Sequence, residues 1–177
     1  GGVGGSDTRY FNSNHPLSGL KGSLLEGGIR VPMIAWWPGH IQPGRISDHV
    51  GAFQDFLPTL GDVTGKPVGV GTDGIRLLPE LLQEPQQEHP YLYWEFPSYG
   101  GQVAVRTGKW KAIRKGLFEN QDAPLELYDL ETDIAEEHDV AGQHPEVADQ
   151  IMGIIRDART PSPEFPFPAL DSLNGGI

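Results

Sequence analysis

Cysteine is absent from all 177 residues, which removes disulfides, thiolate metal sites and a cysteine nucleophile together. No apolar run approaches the roughly 20 residues that a membrane-spanning helix requires. Cations are scarce: 13 Lys and Arg stand against 24 Asp and Glu, for a net charge of −11. That balance argues against an extended basic groove for nucleic acid, so an anionic ligand must be drawn in by local cations. The six histidines, at 15, 40, 49, 89, 138 and 144, show no metal-ligand spacing such as H-x-x-x-H. P-loops, dinucleotide fingerprints and G-x-S-x-G elbows are missing too. The acidic residues between 129 and 139 lack the glycine and terminal glutamate of a calcium loop, which predicts a solvated acidic turn.

Glycine is plentiful, and its placement is informative. Asn14-His15-Pro16-Leu17-Ser18-Gly19-Leu20-Lys21-Gly22-Ser23-Leu24-Leu25-Glu26-Gly27-Gly28-Ile29-Arg30-Val31-Pro32 holds one lysine among four glycines. Such glycines permit close backbone approach or positive φ, so a loop of this kind can wrap a small anion while Lys21 supplies the charge. His15 is the histidine nearest this loop in sequence and is a candidate substrate contact. Glu26 and Arg30 read as a charge pair that fixes loop geometry, and Gly27-Gly28 between them argues against a helix.

Further on, Val31 to Trp37 is a continuous apolar run that predicts a buried strand. His49 to Gln54 reads as a short second strand, and Asp55 as the cap of a helix that tolerates Pro58 and ends near Gly65. Leu77, Leu78, Leu81 and Leu82 predict another short helix. Residues 91–96, 102–107, 109–114 and 125–130 are β-rich segments separated by turn residues and predict a small antiparallel sheet. His144-Pro145-Glu146 opens an amphipathic helix whose apolar stripe, including Ile151 and Ile155, covers one face of it. The other face is left to solvent or to another domain. Lys109 and Lys111, within the only basic cluster (Arg106 to Lys115), are expected on a solvated sheet face. Trp94 and Glu95 admit two readings: a ring and a carboxylate suited to sugar recognition, or a core tryptophan beside a ladder-end glutamate. The loop of residues 97–101 after them is placed to face a pocket.

The segment around Lys21 resembles one in the C-terminal half of type I sulfatases, of the form N-x-P-L-x-G-x-K-x-x-x-x-E-G-G-x-R-V-P. The likeness continues through Trp37-Pro38-Gly39, Asp55 to Leu60, Asp73-Gly74, Trp94-Glu95-Phe96, Ala104 to Lys111 and Glu126 to Leu130. It implies an α/β fold: the end of an alkaline-phosphatase-like sulfatase domain, followed by a small subdomain of four antiparallel strands packed with a helix. The corresponding divisions are a flexible glycine-rich arm (1–13), the end of the catalytic domain (14–88), the sheet and helix (89–160) and an extended proline-rich tail (161–177).

The same resemblance implies that Lys21 binds a sulfate oxygen and stabilises the leaving group, with His15, Trp94 and Glu95 as further substrate contacts. It implies a formylglycine nucleophile from a C/S-x-P-x-R signature and a divalent metal, calcium or magnesium, held by carboxylates. Neither is expected on this chain, whose Ser162-Pro163-Glu164 lacks the arginine and whose Asp7 does not restore a metal-ligand pattern. The implied partner is therefore the N-terminal part of the same enzyme, with a sulfate ester as substrate, no nucleic acid, and self-association of the isolated piece a further expectation. Members of the family act in the periplasm, extracellular space or lysosome. Two other functions stay open: a phosphodiesterase or phosphonate hydrolase of the same superfamily, and a non-catalytic carbohydrate-binding module.

Overall fold

The computed structural model describes residues 8–66, 68 and 71–174. In chain order the elements are α1 (Thr8–Phe11), α2 (Glu26–Ile29), a 3-10 turn (Phe53–Asp55), α3 (Phe56–Val63) and α4 (Leu78–Leu82). There follow β1 (Leu92–Phe96), β2 (Gln102–Thr107), β3 (Trp110–Lys115), β4 (Glu126–Asp129), α5 (Pro145–Ala158), α6 (Pro168–Asp171) and a 3-10 turn (Ser172–Asn174). They form two compact units: one joins the residues up to Val31 to those from Tyr91 onward, and the other is Pro32–Pro90. The expected 14–88 segment is thus shared between them, because residues 14–31 pack with the sheet rather than with the stretch that follows.

In the first unit the four strands form an antiparallel meander, β1-β2-β3-β4. In register, Leu92 pairs with Arg106, Thr107 with Trp110 across a two-residue turn, and Trp110 with Asp129. Alternation then sends Val103, Val105, Ala112 and Leu127 to one face, where Ile151 and Ile155 of α5 complete a core with Phe167 and Leu170. Ala104, Ile113 and Tyr128 point the other way and meet Leu24 and Leu130, with Trp94, Leu25 and Ile29 packed at the margin. The second face is therefore covered by the glycine-rich segment of the same chain. Burying Ile151 and Ile155 fully contributes about 1.5–3 kcal/mol each.

In the second unit, α3 begins after Asp55, whose buried carboxylate accepts hydrogen bonds from the N–H groups of Ala52 (2.7 Å) and Ile75 (2.8 Å). His89 Nε2 lies 2.9 Å from both carboxylate oxygens. Thr59 continues the tie, donating to Asp55 O (2.6 Å) and accepting from Leu77 N–H (2.8 Å). The residue expected as a helix cap is in fact a junction that holds three loops together.

Several expectations are corrected. Residues 31–37 form no strand: Ile34 is 94% and Trp36 84% exposed, because no described strand offers these residues a ladder. Residues 49–54 are likewise not a strand, and their end winds into the 3-10 turn before α3. The proline-rich tail is not wholly extended, since Pro168 occupies the first turn of α6, where its missing N–H costs nothing. Finally, α2 forms in spite of Gly27-Gly28, for a reason that lies in the site.

Candidate functional site

The segment carrying Lys21 is shaped by its glycines in two ways. Gly19 and Gly22 have φ of +87° and +91°, in the left-handed region that favours glycine. Ser23 N–H bonds to Leu20 O (2.9 Å), so Lys21 and Gly22 are the two central residues of a tight turn. Gly27 and Gly28 serve close approach instead: a Cβ on Gly27 would lie 2.6 Å from Ser18 O, and one on Gly28 2.1 Å from Ser23 O. The short helix α2 nests in the preceding loop at a distance that no side chain permits. Its neighbours outweigh the low helix propensity of glycine.

Side chains from both ends clamp this segment. Asn14 Nδ2 donates to Gly19 O (2.9 Å) and to Gly27 O (2.8 Å). The amide of Gln102, at the start of β2, accepts from Leu24 N–H (3.2 Å) and donates to Gly22 O (2.9 Å). Lys21 stands at the tip of the clamped turn, exposed, and its ammonium meets no acceptor among the described residues.

Beneath the turn lies a buried charge network. Glu26 is 1% exposed; its Oε1 accepts from Lys111 Nζ (2.7 Å) and its Oε2 from Arg30 Nε (2.5 Å), with Arg106 at 3.5 Å. Its backbone N–H donates to Glu136 Oε2 (2.6 Å). Lys111, fully buried in β3, also lies 3.4 Å from Glu136 Oε1. Burial opposes ionisation of Glu26, but Lys111 and Arg30 outweigh it and hold the carboxyl below its ordinary range. For Glu136 burial dominates and pushes the carboxyl up, against the pull of Lys111. The expected Glu26–Arg30 pair is thus present, as part of a larger assembly.

The basic cluster is corrected by the same network. Lys111 is not on a solvated face, since Glu26 docks on it from 85 residues away in sequence. Lys109 pairs with Asp129 (2.6 Å) and Lys115 with Glu126 (2.6 Å), while Arg114 donates to the carbonyls of Ala123 and Gln121. Among the described residues each of these cations has an internal acceptor. Glu136 likewise leaves the expected solvated acidic turn, and does so with a φ of +54°.

Of the remaining site residues, His15 is exposed in the turn that precedes Lys21. Trp94 is half-buried on the face covered by the glycine-rich segment, with Lys111 Nζ 5.7 Å from its ring centre. Glu95 points to the opposite face, where Arg159 Nη1 grips both its oxygens (2.5 and 2.6 Å) and also binds Asp171 through Nη2 and Nε (2.7 and 3.0 Å). The ring and carboxylate therefore do not converge as a sugar site: consecutive residues of a strand face opposite ways. Of the side chains that hold this segment, Lys111 is signalled in the sequence by the run from Arg106 to Lys115, whereas Gln102 and Glu136 carry no such signal. Asp7 lies outside the described residues. Among those described, no three His, Asp or Glu side chains come together as a metal ion needs, and no helix is long and apolar enough to cross a membrane.

The family model described as "N-sulphoglucosamine sulphohydrolase, C-terminal" matches residues 21–159, from the turn lysine to the arginine that grips Glu95. The chain belongs to this sulfatase family. Human arylsulfatase A is 37% identical over 154 residues, covering 72% of this chain and 30% of the relative. N-acetylgalactosamine-6-sulfatase of Sus scrofa is 34% identical over 122 residues, covering 63% of this chain and 23% of the relative. The crystal structure of Ps i-CgsB superposes with a TM-score of 0.71 at 30% identity, covering 82% of this chain and 32% of that one. The chain thus spans about a third or less of the length of these sulfatase relatives, and what it aligns with is their C-terminal region.

The buried network predicts a distinct pH response. Glu136 has its folded-state pKa raised, so its ionisation removes stability as pH rises from about 4.5 through the raised value. Glu136→Gln abolishes that titration, and the melting temperature of the variant relative to the parent is expected to rise between pH 5 and pH 8. Thermal melts of both proteins at the two pH values measure it, and a gap that stays constant or narrows contradicts the assignment.

Proposed function

We propose that the chain is the C-terminal part of an enzyme that hydrolyses sulfate esters, aryl or carbohydrate, and that Lys21 is its sulfate-binding cation. The observation that carries this reading is the combination at Lys21: an exposed ammonium with no partner among the described residues, on a turn clamped by Asn14 and Gln102. Every cation of the Arg106 to Lys115 cluster has an internal acceptor instead. A compact ammonium on a rigid turn suits a tetrahedral anion and the negative charge that grows on the bridging oxygen as the ester bond breaks.

In this reading a formylglycine nucleophile and a divalent metal supply the attack on sulfur. The described residues offer no set of metal ligands, and no step is assigned to them through that group. They bind the sulfate, balance charge at the leaving oxygen and hold the turn in place. By themselves these 177 residues are expected to hydrolyse nothing. The family's periplasmic, extracellular or lysosomal setting is carried over on the same footing.

The test is made on the full-length protein containing this chain, with 4-nitrophenyl sulfate and a 4-nitrophenyl phosphonate monoester as paired substrates. A kcat/KM at least about 100-fold higher for the sulfate is expected, equivalent to about 2.7 kcal/mol of preferential transition-state binding. Preference for the phosphonate would overturn the assignment in favour of the related hydrolases.

A further inference from the structure

The turn that carries Lys21 has an aromatic neighbour. Tyr99 lies in the β1–β2 connection, and its ring packs directly on Gly22: a Cβ placed there would fall 2.9 Å from Tyr99 Cε2 and 3.0 Å from Cζ. On the other side the ring stacks with Phe96, with centres 5.8 Å apart and planes inclined by 22°. Between these supports Tyr99 is still 68% exposed, and its hydroxyl meets no partner among the described residues.

The backbone makes a special effort to present it. Tyr99, Gly100 and Gly101 have φ of +50°, +84° and +77°. The left-handed region is natural for the two glycines but sparsely populated for a bulky aromatic, which stays there only where the surroundings fix it. They do: Gly101 N–H bonds to Ser98 O (3.1 Å), while Phe118 N–H and Leu117 N–H bond to Gly100 O (2.9 Å) and Gly101 O (3.1 Å). Tyr99 is thus a large apolar surface, locked in place and left uncovered, beside the residue adjoining the turn lysine.

We propose that Tyr99 is a specificity-determining residue, the platform against which the six-membered ring bearing the sulfate ester lies while Lys21 holds the sulfate. The proposal rests on the reading of Lys21 as the sulfate-binding cation. An aromatic face next to an ammonium matches a substrate that is itself an anionic group on a ring, whether aryl or pyranose: the cation takes the charge and the aromatic surface takes the ring. A sulfate without a ring gains nothing from Tyr99.

That difference defines the experiment. In the full-length enzyme, Tyr99→Ala and Tyr99→Phe are compared with the parent using 4-nitrophenyl sulfate, galactose 6-sulfate, and inorganic sulfate as a competitive inhibitor. With Tyr99→Ala, KM for at least one ring-bearing sulfate is expected to rise about tenfold, while kcat and the Ki of inorganic sulfate stay within about twofold. Tyr99→Phe keeps the ring and is expected to retain the parent KM. The substrate whose KM responds identifies the aryl or sugar class. Unchanged KM for both substrates overturns the proposal, and so does a parallel rise in KM and Ki, which would make Tyr99 a support of the turn only. Lys21→Ala in the same assays separates the two claims: an unchanged Ki for sulfate would refute the sulfate-binding lysine itself, whatever Tyr99 does.

Discussion

Replacing Lys21 with alanine in the full-length enzyme is expected to lower kcat/KM for an aryl sulfate by about 10²–10³-fold, with the melting temperature within about 1 °C of the parent. The two halves of this expectation have separate causes. Stability is spared because the side chain is exposed and bonded to nothing in the described structure, so its loss breaks no contact and uncovers no buried partner. On the proposed role of Lys21, activity is expected to suffer because charge accumulates on sulfate and leaving oxygens in the transition state, where a fixed cation contributes more than it does in the ground state. The clamps supplied by Asn14 and Gln102 persist in the variant, so the turn is still formed and the missing ammonium is the only change. Lys21→Arg is expected to recover only part of the loss, because a planar guanidinium on a longer stem cannot place its charge at the same point. Steady-state kinetics with 4-nitrophenyl sulfate, alongside thermal melts, measure both quantities. A decrease smaller than about threefold would remove Lys21 from the site.

The meander was legible in the sequence because each strand announces itself locally, through β-branched and aromatic residues closed by turn residues; β2 falls at Gln102–Thr107, as its residues predict. Helix α5 was legible for the same reason, with Pro145 at its start and a 3.6-residue apolar stripe. The glycine-rich segment was legible as a shaped loop, though only the structure shows that Gly19 and Gly22 supply positive φ while Gly27 and Gly28 supply contact distance. What failed was long-range. Periodicity placed Lys111 on one face of β3 correctly but could not say what would cover that face, since Glu26 is 85 residues away and Glu136 is on a later turn. The run of residues 31–37 failed in the opposite sense: its composition fits a buried strand, yet a strand is a pairing, and the described residues contain no mate for it. The loop of residues 97–101 was legible as one facing a pocket, but Tyr99 within it was not, because the exposure and left-handed backbone of a tyrosine leave little trace in residue type.

Lys111→Met is expected to destabilise the protein by about 3–5 kcal/mol, the usual cost of breaking a buried ion pair by removing one partner. Methionine fills most of the volume, so the loss is electrostatic rather than a matter of packing. Glu26 and Glu136, both shut off from water, are left facing each other with only Arg30 and Arg106 to offset them. For a chain of this size the melting temperature should fall by about 10 °C or more near pH 7. The sign of the pH dependence follows from Glu26. In the parent its pKa is lowered, so its contribution to stability is present above the ordinary carboxylate value and is lost as pH falls through the lower folded-state value. Lys111 is the leading cause of that lowering, and without it burial drives the Glu26 carboxyl upward. The parent keeps the Glu26 contribution down to about pH 4.5 and gains on acidification only through Glu136, whereas the variant gains through both carboxyls, so the gap in melting temperature should narrow from pH 7 to about pH 4.5. Adding Glu136→Gln to Lys111→Met removes one of the two stranded carboxylates and should recover part of the loss at neutral pH. A gap independent of pH, or a double variant no more stable than the single one, would mean that the methionine disturbs packing and that the charges are not what holds the Lys21 segment on the sheet.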